Sequence, residues 1–401
     1  MYSEDSLSDK NKKRIAFVVQ RYGKEVIGGA ETYAKEMAEH LAAYYKDKIE
    51  VEVLTSKALD FKTWSNHYTE DVEEINGVKV RRFEVTKGRN PLYQRGGMIL
   101  MRNFGIKNKT VEENRIRGRG PYVPGLVEYI KANKDDYDRF IFVTYMYYPT
   151  YFGSKEVYDK AILVSTAHDE EPIYMDVYKD MFNSVSGMIY LADEEKEFVE
   201  KTFDNGHVKN AVIGMGIEVP EDADGDRFKE KYGINGRYII YAGRIETEKG
   251  VDKLISFYEK FRAGSEDKDT VPKLVLMGKG SMDIPKKDGI IATGFVDDKT
   301  KYDAFKGASV ILLPSMYESF SISLLEGMAY SHPALVNGKS EVLKGHILKS
   351  NGGKTYTSYE EFKDGLDTLL KEPDDMGKKA ALYVKEKYGY ESIMKRFEEM
   401  L

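Results

Sequence analysis

The sequence predicts an α/β protein of two doubly wound domains. Short, continuous apolar runs alternate with stretches of helical periodicity, a pattern typical of parallel strands that are buried on both faces and joined by helices. The alternation begins at residue 15 and restarts after Asn210. With 401 residues, 41% of them hydrophobic, the chain is long enough to bury two cores.

The first domain opens with a strand, a loop and a helix. Residues 15–20 (IAFVVQ) form the predicted strand, residues 21–29 a glycine-bearing loop, and residues 30–45 a helix with apolar residues three and four apart. Residues 51–55 form the next strand, and this order implies a parallel sheet. Further strands are expected at 140–144, 162–165 and 189–191.

The second half repeats the pattern after a Gly- and Asp-rich stretch at residues 214–226. Strands are predicted at 238–241, 274–277, 290–293 and 310–313, and helices at 251–263, 299–306, 322–330 and 391–401. We therefore predict an N-terminal domain at 1–213, a C-terminal domain at 214–385, and a closing helical segment at 386–401.

Composition excludes several classes of protein. The chain has no cysteines, which excludes disulfides, thiolate nucleophiles and cysteine metal sites. No apolar run approaches the roughly 20 residues of a membrane span, and the polar opening segment is unlike a signal peptide. The formal net charge is -6 and no recognition motif is present, so nucleic acid is not an expected partner. We expect a cytoplasmic protein whose contact with the inner membrane face, if it has one, is peripheral.

Ligands of open parallel sheets bind beyond the carboxyl ends of the strands. After the strand at 310–313, Glu318 lies in a loop and Glu326 lies on the helix that begins near Ser321. The free backbone N–H groups and the dipole of that helix start favour an anion such as a diphosphate, and the two carboxylates are suited to sugar hydroxyls. Two solvated glutamates on an ordinary helix are the alternative.

Three further loops carry suitable residues. After residues 238–241, Arg244 and Lys249 precede a helix, where cations are unfavourable unless an anion binds them. Gly28 and Gly29 allow close approach of a ligand to the backbone. His168 directly follows the strand at 162–165. The alternatives are two surface cations, a common glycine turn and a structural histidine.

Five segments occur together and in one order: GGAETYAKEMAEHL at 28–41, AHD at 167–169, YAGRIETEKGVDKLI at 241–255, GFV at 294–296 and ESFSISLLEGMA at 318–329. Together they resemble the family 4 retaining glycosyltransferases. The resemblance implies the GT-B fold, in which two Rossmann-like domains face each other across a cleft and the last helix crosses back to the first domain. It implies a metal-independent hexosyltransferase that moves a sugar from a nucleotide-diphosphate donor to a glycan or lipid-linked acceptor, in cell-surface polysaccharide biosynthesis.

The resemblance also implies roles for single residues. Arg244 and Lys249 would hold the donor diphosphate, Glu318 and His168 would contact the donor sugar near the reacting carbon, and Glu326 would bind the ribose. These side chains, apart from Glu326, are the predicted catalytic residues. The backbone groups that would complete the donor site are those of Gly28, Gly29, Phe295, Val296, Ser321, Ile322 and Ser323.

The chain departs from the family at three places. Ser321 stands where the family usually has glycine, and the segments at 214–218 (GMGIE) and 337–341 (NGKSE) replace the family's usual patterns. The donor's base and sugar are therefore left open. No Asp-x-Asp motif stands at a strand end, and no metal or other cofactor is expected beside the nucleotide sugar.

Residues 81–119 form a basic segment that contains eleven Lys and Arg but only three Asp and Glu, which gives a local net charge of +8. It also contains apolar residues, at 98–101 (MILM), Phe104 and Ile106. Such a segment is suited to anionic lipid headgroups, or to a phosphorylated or acidic acceptor. A solvated loop packed by its own apolar residues is the alternative.

Three rival functions make different demands on the sequence. A nicotinamide-dependent oxidoreductase would want G-x-G-x-x-G after the first strand and an acidic residue ending the second, and both are absent. A nucleotide-sugar epimerase of the same fold would release free sugar without an acceptor. A catalytically silent glycan-binding partner subunit should have lost Glu318 or Lys249, and both are present.

Overall fold

The computed structural model describes residues 12–26, 28–90, 108–371 and 373–401. The chain divides into two compact units, each built around one sheet. The first unit comprises Met1–Gly216 with Ile393–Leu401, and the second comprises Ile217–Ser392. The apolar residues at 98–101, Phe104 and Ile106 of the basic segment lie outside the described residues.

The first unit contains an eight-stranded sheet in the order β3-β4-β2-β1-β5-β6-β7-β8. Its strands are β1 (Lys13–Val18), β2 (Ile49–Ser56), β3 (Val72–Ile75), β4 (Val78–Phe83), β5 (Arg139–Val143), β6 (Ala161–Val164), β7 (Gly187–Tyr190) and β8 (Asn210–Val212). All neighbours are parallel except β3 and β4, which pair antiparallel across a two-residue turn. The predicted parallel sheet is therefore confirmed.

Helices connect these strands, and each of them has buried residues. They are α1 (Gly29–Tyr44), α2 (Lys109–Arg119), α3 (Pro124–Asn133), α4 (Tyr148–Lys155), α5 (Val177–Ser184) and α6 (Asp193–Phe203). In α1 the buried residues include Tyr33, Ala34, Met37, Ala38 and Leu41, which recur three and four positions apart as the sequence predicts. Strand β1 lies between β2 and β5, and its last four residues are buried whichever face of the sheet they point to.

The second unit contains a six-stranded parallel sheet in the order β11-β10-β9-β12-β13-β14. Its strands are β9 (Tyr238–Ala242), β10 (Lys273–Met277), β11 (Ile290–Gly294), β12 (Val310–Leu313), β13 (Ala334–Asn337) and β14 (Gly353–Tyr356). Its helices are α7 (Gly225–Tyr232), α8 (Val251–Ala263), α9 (Asp298–Lys306), α10 (Ile322–Ala329), α11 (Glu341–Ser350), α12 (Tyr359–Lys371) and α13 (Pro373–Tyr388). Strand order reverses at the β9–β12 boundary, which is where such sheets bind ligands.

The chain closes with α14 (Tyr390–Glu398), whose C-terminal part belongs to the first unit. Phe397 stacks on Phe17 of β1 with ring centroids 6.1 Å apart, and Arg396 donates to the carbonyl of Val212. The end of the chain therefore packs on the N-terminal sheet. Among the described residues, we find no helix that is both long and apolar enough to cross a membrane.

Candidate functional site

The loops that follow β9 and β12 meet through an ion pair. Lys249 Nζ donates to Glu318 Oε1 over 2.7 Å, and the two residues are 69 positions apart in the sequence. Their side chains are 21% and 16% exposed, so the pair is mostly withdrawn from water. The structure thus joins a residue predicted for the diphosphate to one predicted for the donor sugar.

A glycine makes this approach possible. Gly250 has a φ of 74°, and a Cβ at this position would lie 2.7 Å from the carbonyl oxygen of Pro314. The same carbonyl accepts a hydrogen bond from Asn337 Nδ2 at 2.9 Å. Because any larger residue at 250 would meet backbone, the Lys249 loop can lie against the Glu318 loop only with glycine at this position.

Ser321 begins α10 in a strained backbone conformation. Its φ of 68° and ψ of 69° are left-handed, and its side chain makes no capping hydrogen bond to the helix. A non-glycine residue is held there at a cost on the order of 1–3 kcal/mol. Glycine, which the family usually has at this position, adopts the same backbone without that cost. The serine therefore preserves the helix start while adding a buried side chain beside it.

Glu326 on α10 is held by two partners from α9. Its Oε1 accepts from Lys301 Nζ at 2.8 Å and from the hydroxyl of Tyr302 at 3.1 Å. Burial opposes the charge of Lys301, but the neighbouring Glu326 carboxylate outweighs it and raises the pKa of the ammonium. The predicted ribose ligand is thus a buried carboxylate whose charge is balanced, and Lys301 and Tyr302 were not predicted from the sequence.

Arg244 and Phe295 are the more exposed members of the predicted donor site. Arg244 pairs through Nη1 with Glu246 Oε2 at 2.8 Å, and 51% of its side chain is exposed. Phe295 and Val296 follow β11 at the edge of the sheet, and 54% of Phe295 is exposed. All of these residues therefore follow strands at the carboxyl edge of the second sheet, and Arg244 is paired with a different carboxylate from Lys249.

In the first unit, Gly28 lies next to a buried ion pair between Arg21 and Glu31 that was not predicted. Arg21 Nε and Nη2 donate to Glu31 Oε1 at 2.9 and 2.5 Å, and Arg21 Nη1 donates to the carbonyl of Leu59 at 2.8 Å. A Cβ at Gly28 would lie 2.2 Å from Glu31 Oε2, so a larger residue would have to displace this buried carboxylate. An Arg after the first strand and a Glu in the first turn of the next helix were the available signals.

His168 lies in a loop that a buried glutamate organises. Glu195 accepts hydrogen bonds from Ser165 Oγ at 2.6 Å, from the Ala167 amide at 2.6 Å and from the Leu191 amide at 2.7 Å. It thereby ties the loops after β6 and β7 together, one residue before His168. The imidazole Nε2 of His168 lies 3.8 Å from Glu170 Oε1, and 31% of its side chain is exposed.

We expect Glu195 to make stability depend on pH. Burial raises the pKa of its carboxyl from an ordinary 4.5 to about 7, although its three donors favour the ionised form. Between these values the folded state binds more protons than the unfolded state, so the free energy of unfolding falls as pH rises and levels off above about 7. In urea titrations, the stability of wild type relative to Glu195→Gln should drop by roughly 2–3 kcal/mol from pH 4.5 to 8. A constant difference would contradict this, and the exposed Glu197→Gln is the control.

The predicted site residues are divided between the units. Gly28, Gly29 and His168 belong to the first unit, and the remaining residues belong to the second. Of the second group, the structure joins Lys249 to Glu318 directly and places Ser321 and Glu326 on the segment that follows. Within the described ranges, no group of three or more histidines and carboxylates is arranged to hold a metal ion.

The chain is similar to known glycosyltransferases. Residues 224–387, most of the second unit, match the family described as Glycosyl transferases group 1. An uncharacterized glycosyltransferase of Methanocaldococcus jannaschii is 25% identical over 407 aligned positions, which cover 95% of this chain and 96% of the relative. These matches support a glycosyltransferase of group 1 that acts on a sugar donor.

Solved structures share the fold over nearly the whole chain. Sucrose-phosphate synthase from Thermosynechococcus elongatus superposes with a TM-score of 0.71 at 15% identity, covering 97% of this chain and 98% of that one. The Anabaena protein HepE, in complex with UDP and glucose, superposes with a TM-score of 0.64 at 14% identity, covering 96% and 98%. The fold of this chain is GT-B, with two parallel-sheet α/β domains.

Proposed function

We propose that this glycosyltransferase is a metal-independent, retaining hexosyltransferase that uses a nucleotide-diphosphate sugar and a glycan or lipid-linked acceptor, in polysaccharide biosynthesis. The observation that carries the proposal is the Lys249–Glu318 ion pair, held at 2.7 Å in front of the helix that begins after Ser321. In this pair, a cation from the loop after β9 meets a carboxylate from the loop after β12, close in sequence to the helix start whose first backbone N–H groups have no partner within the helix.

Binding of the donor would exchange the partners of this pair. The diphosphate brings negative charge to the helix start, where Lys249 can turn its ammonium from Glu318 to a phosphate oxygen. Glu318 is then available to accept hydrogen bonds from hydroxyls of the donor sugar. The half-exposed guanidinium of Arg244 supplies a second cation from the same loop. Before the donor binds, each charged group of the ion pair thus neutralises the other, and both already lie where the donor would bind.

The energetic demand of the reaction is negative charge on the leaving diphosphate. Cations and N–H dipoles fixed in a mostly buried site stabilise such charge more than water does. Lys249, Arg244 and the N-terminus of α10 form such a set, and they supply the positive charge that a divalent cation supplies in other transferases. We therefore expect donor turnover to persist in the presence of a chelator.

Glu326 is suited to the ribose of the donor. Its charge is balanced by Lys301, and the hydroxyl of Tyr302 helps to fix the carboxylate. A carboxylate held in this way accepts hydrogen bonds from two neighbouring ribose hydroxyls without moving. We propose that this contact selects a ribonucleotide and leaves the choice of base to the backbone near Phe295 and Val296.

Retention follows if the acceptor attacks on the face that the diphosphate leaves. The acceptor oxygen forms a bond to the anomeric carbon, the bond from that carbon to the phosphate oxygen breaks, and the departing phosphate oxygen takes the acceptor's proton. No protein base is needed for this balance. His168 and the Gly28–Gly29 turn, both in the first unit, would then contact the donor sugar and the acceptor side.

Donor binding tests the proposal before any acceptor is known. UDP-, GDP-, ADP- and dTDP-sugars are compared by thermal shift and by slow hydrolysis, with and without EDTA. We begin with UDP-glucose, because the Anabaena HepE structures hold UDP with glucose and UDP-glucose. The expected result is that one nucleotide class raises the melting temperature and is hydrolysed slowly, equally with EDTA.

The anomeric form of the first sugar released reports the stereochemistry. Proton NMR should show the α-anomer from an α-linked donor before mutarotation. If none of the nucleotide sugars raised the melting temperature, the proposed donor class would be contradicted. Release of the β-anomer first would contradict retention. Rapid release of free sugar that no acceptor accelerates would favour an epimerase-type activity, whereas binding without turnover would favour a silent subunit.

A further inference from the structure

The basic segment at 81–119 contains two kinds of arginine. Four of its arginines are paired within the fold: Arg81 with Glu52, Arg82 with Glu73, Arg115 with Glu171 and Arg117 with Glu113. These pairs hold the first unit together and leave little charge for a ligand. Arg89 and Arg119 differ from them, because within the described parts of the chain neither forms an ion pair with a carboxylate.

Arg89 is partly buried, and not all of its N–H groups are hydrogen-bonded within the described residues. Its Nε is buried, and among the described residues it has no hydrogen-bond partner. The guanidinium lies over the ring of Phe61 at 6.0 Å from the centroid. Burial and the nearby charge of Arg119 lower the pKa of Arg89, while Tyr147 and the more distant carboxylate of Asp60, which forms no ion pair with Arg89 among the described residues, act in the opposite direction. A buried N–H without an acceptor is costly, so an acceptor from a ligand would be favourable at this position.

Arg119 has a weak partner. Its Nη1 donates to the sulfur of Met146 at 2.9 Å, and a thioether is a poor acceptor for a guanidinium. Its backbone is fixed, since its carbonyl accepts from Trp64 Nε1 at 2.8 Å. The side chain is therefore anchored at one end, while the charged end has only sulfur as its acceptor in the described part of the chain.

Tyr147 connects the arginines to the end of the sheet. Its ring meets Trp64 edge to face with centroids 5.6 Å apart. Burial raises the pKa of its hydroxyl, Glu31 acts in the same direction, and the charges of Arg119, Arg21 and Arg89 oppose them. The phenol of Tyr147 is thus within electrostatic reach of all three guanidiniums and can donate to an anion bound among them.

Except for Arg119, which ends α2 and is tied to Trp64 through its carbonyl, these residues follow the carboxyl ends of adjacent strands. Arg21 follows β1, Phe61 and Trp64 follow β2, Arg89 follows β4, and Tyr147 follows β5. The order of these strands in the sheet is β4-β2-β1-β5, so their loops share one edge. That edge is where open parallel sheets bind their ligands.

The charges at this edge favour an anion with more than one negative charge. Glu31 is taken by Arg21, and the carboxylate of Asp60 is taken by the amides of Lys62 and Thr63 and by the Thr63 hydroxyl. One arginine suffices for one carboxylate, as Arg21 and Glu31 show. Two guanidiniums without carboxylates match a phosphate monoester, which carries up to two charges and three acceptor oxygens.

We propose that Arg89, Arg119 and Tyr147 form a binding site for a phosphate group on the acceptor. This rests on the proposed function, because a site at this edge of the first unit is on the acceptor side only if the second unit holds the donor. The acceptor then carries a phosphate group, as a sugar phosphate or a phospholipid-linked glycan does, and is not a neutral glycan.

A titration with inorganic phosphate, followed by ³¹P NMR, tests the site without knowledge of the acceptor. Wild type is compared with Arg89→Gln, Arg119→Gln and the double variant, and with Lys87→Gln as a matched control that removes a nearby exposed charge. The Lys249→Ala variant removes a cation of the donor site and so reports any phosphate bound there. Acetate serves as the carboxylate probe, and nucleotide binding is measured in parallel.

We expect each single Arg→Gln change to weaken phosphate binding about tenfold and the double change to abolish it. Lys87→Gln and Lys249→Ala should bind phosphate as wild type does, and all first-unit variants should bind nucleotide normally. If Arg119→Gln fails to fold, Arg89→Lys, which keeps the charge but not the fork, should show a smaller loss.

The site would be overturned by the absence of phosphate binding in wild type, by unchanged binding in the double variant, or by equal affinity for acetate. Loss of phosphate binding in Lys249→Ala would also overturn it, because the probe would then report the donor site. If wild type did not bind nucleotide at all, that result would count against the proposed function and not against the phosphate site. Failure of the phosphate site and failure of the proposed function are therefore distinguishable.

Discussion

The Lys249→Ala variant is expected to lose about 100- to 1,000-fold in kcat/KM, the usual effect of removing one fixed group that stabilises charge in the transition state. The substitution has two consequences. It removes the ammonium that would stabilise the leaving diphosphate, and it leaves the Glu318 carboxylate, 16% exposed, without its partner. The unpaired carboxylate would then repel the phosphates that it faces.

The measurement is donor hydrolysis under single-turnover conditions, with nucleotide affinity determined separately. Lys253→Ala, on an exposed position of α8 four residues later, is the matched control and should resemble wild type. Both variants should remain folded, but Lys249→Ala should melt below the wild-type temperature because it leaves a mostly buried carboxylate unpaired, whereas Lys253→Ala should melt near it. Wild-type hydrolysis by Lys249→Ala would remove the main support for the proposed mechanism.

The Glu318→Ala variant is expected to lose at least about 100-fold in kcat while binding the nucleotide as tightly as wild type or more tightly. Removal of the carboxylate frees Lys249 from its 2.7 Å ion pair, so the ammonium can bind the diphosphate without exchanging partners. The donor sugar, however, loses the acceptor that would fix its hydroxyls near the reacting carbon. Loss of kcat without loss of nucleotide affinity distinguishes this role from a structural one.

Glu248→Ala, on an exposed position of the neighbouring loop, is the control for loss of a carboxylate. The double variant Lys249→Ala/Glu318→Ala completes a cycle that measures the coupling between the two residues. Because the Glu318 carboxylate repels the phosphates more strongly when Lys249 no longer neutralises it, the double variant should bind nucleotide better than Lys249→Ala alone. Strictly additive effects on nucleotide affinity would show that the ion pair has no part in donor binding.

The apolar patterns of the sequence predicted most of the two sheets. The runs at 15–20, 238–241 and 310–313 became β1, β9 and β12, because an apolar run buried on both faces has few other stable conformations. Among the edge strands, β11 was predicted, whereas β3, β8 and β14 were missed, as were the interior strands β4 and β13. In β14 only Tyr356 is fully buried, and the four residues (GKTY) carry no apolar run.

The antiparallel strand β3 was missed for a different reason. It is mostly exposed, with the sequence VEEI, but Asn76 and Gly77 join it to β4 in a two-residue turn with positive φ at both positions. Asn-Gly between two short runs is a strong hairpin signal, so this element was within reach of the sequence.

The candidate site was predicted in part. The loops after β9 and β12 were identified because parallel strands place their following residues at one edge. The partners were not identified: Lys301 and Tyr302 for Glu326, Glu195 beneath the His168 loop, and Arg21 for Glu31. Each of these contacts joins separate elements, and spacing along the chain carries no information about which polar groups meet.

Local periodicity therefore established the α/β order, the strand ends and the candidate side chains, because the pattern of apolar residues reports directly on burial. The packing of strands and helices alone decided which charges neutralise one another. Lys249 pairs with Glu318, and four arginines of the basic segment form ion pairs with carboxylates. Arg89 and Arg119 have no carboxylate partner in the described part of the chain. Such partnerships depend on distances of a few ångströms between residues far apart in the chain, and only the folded backbone sets those distances.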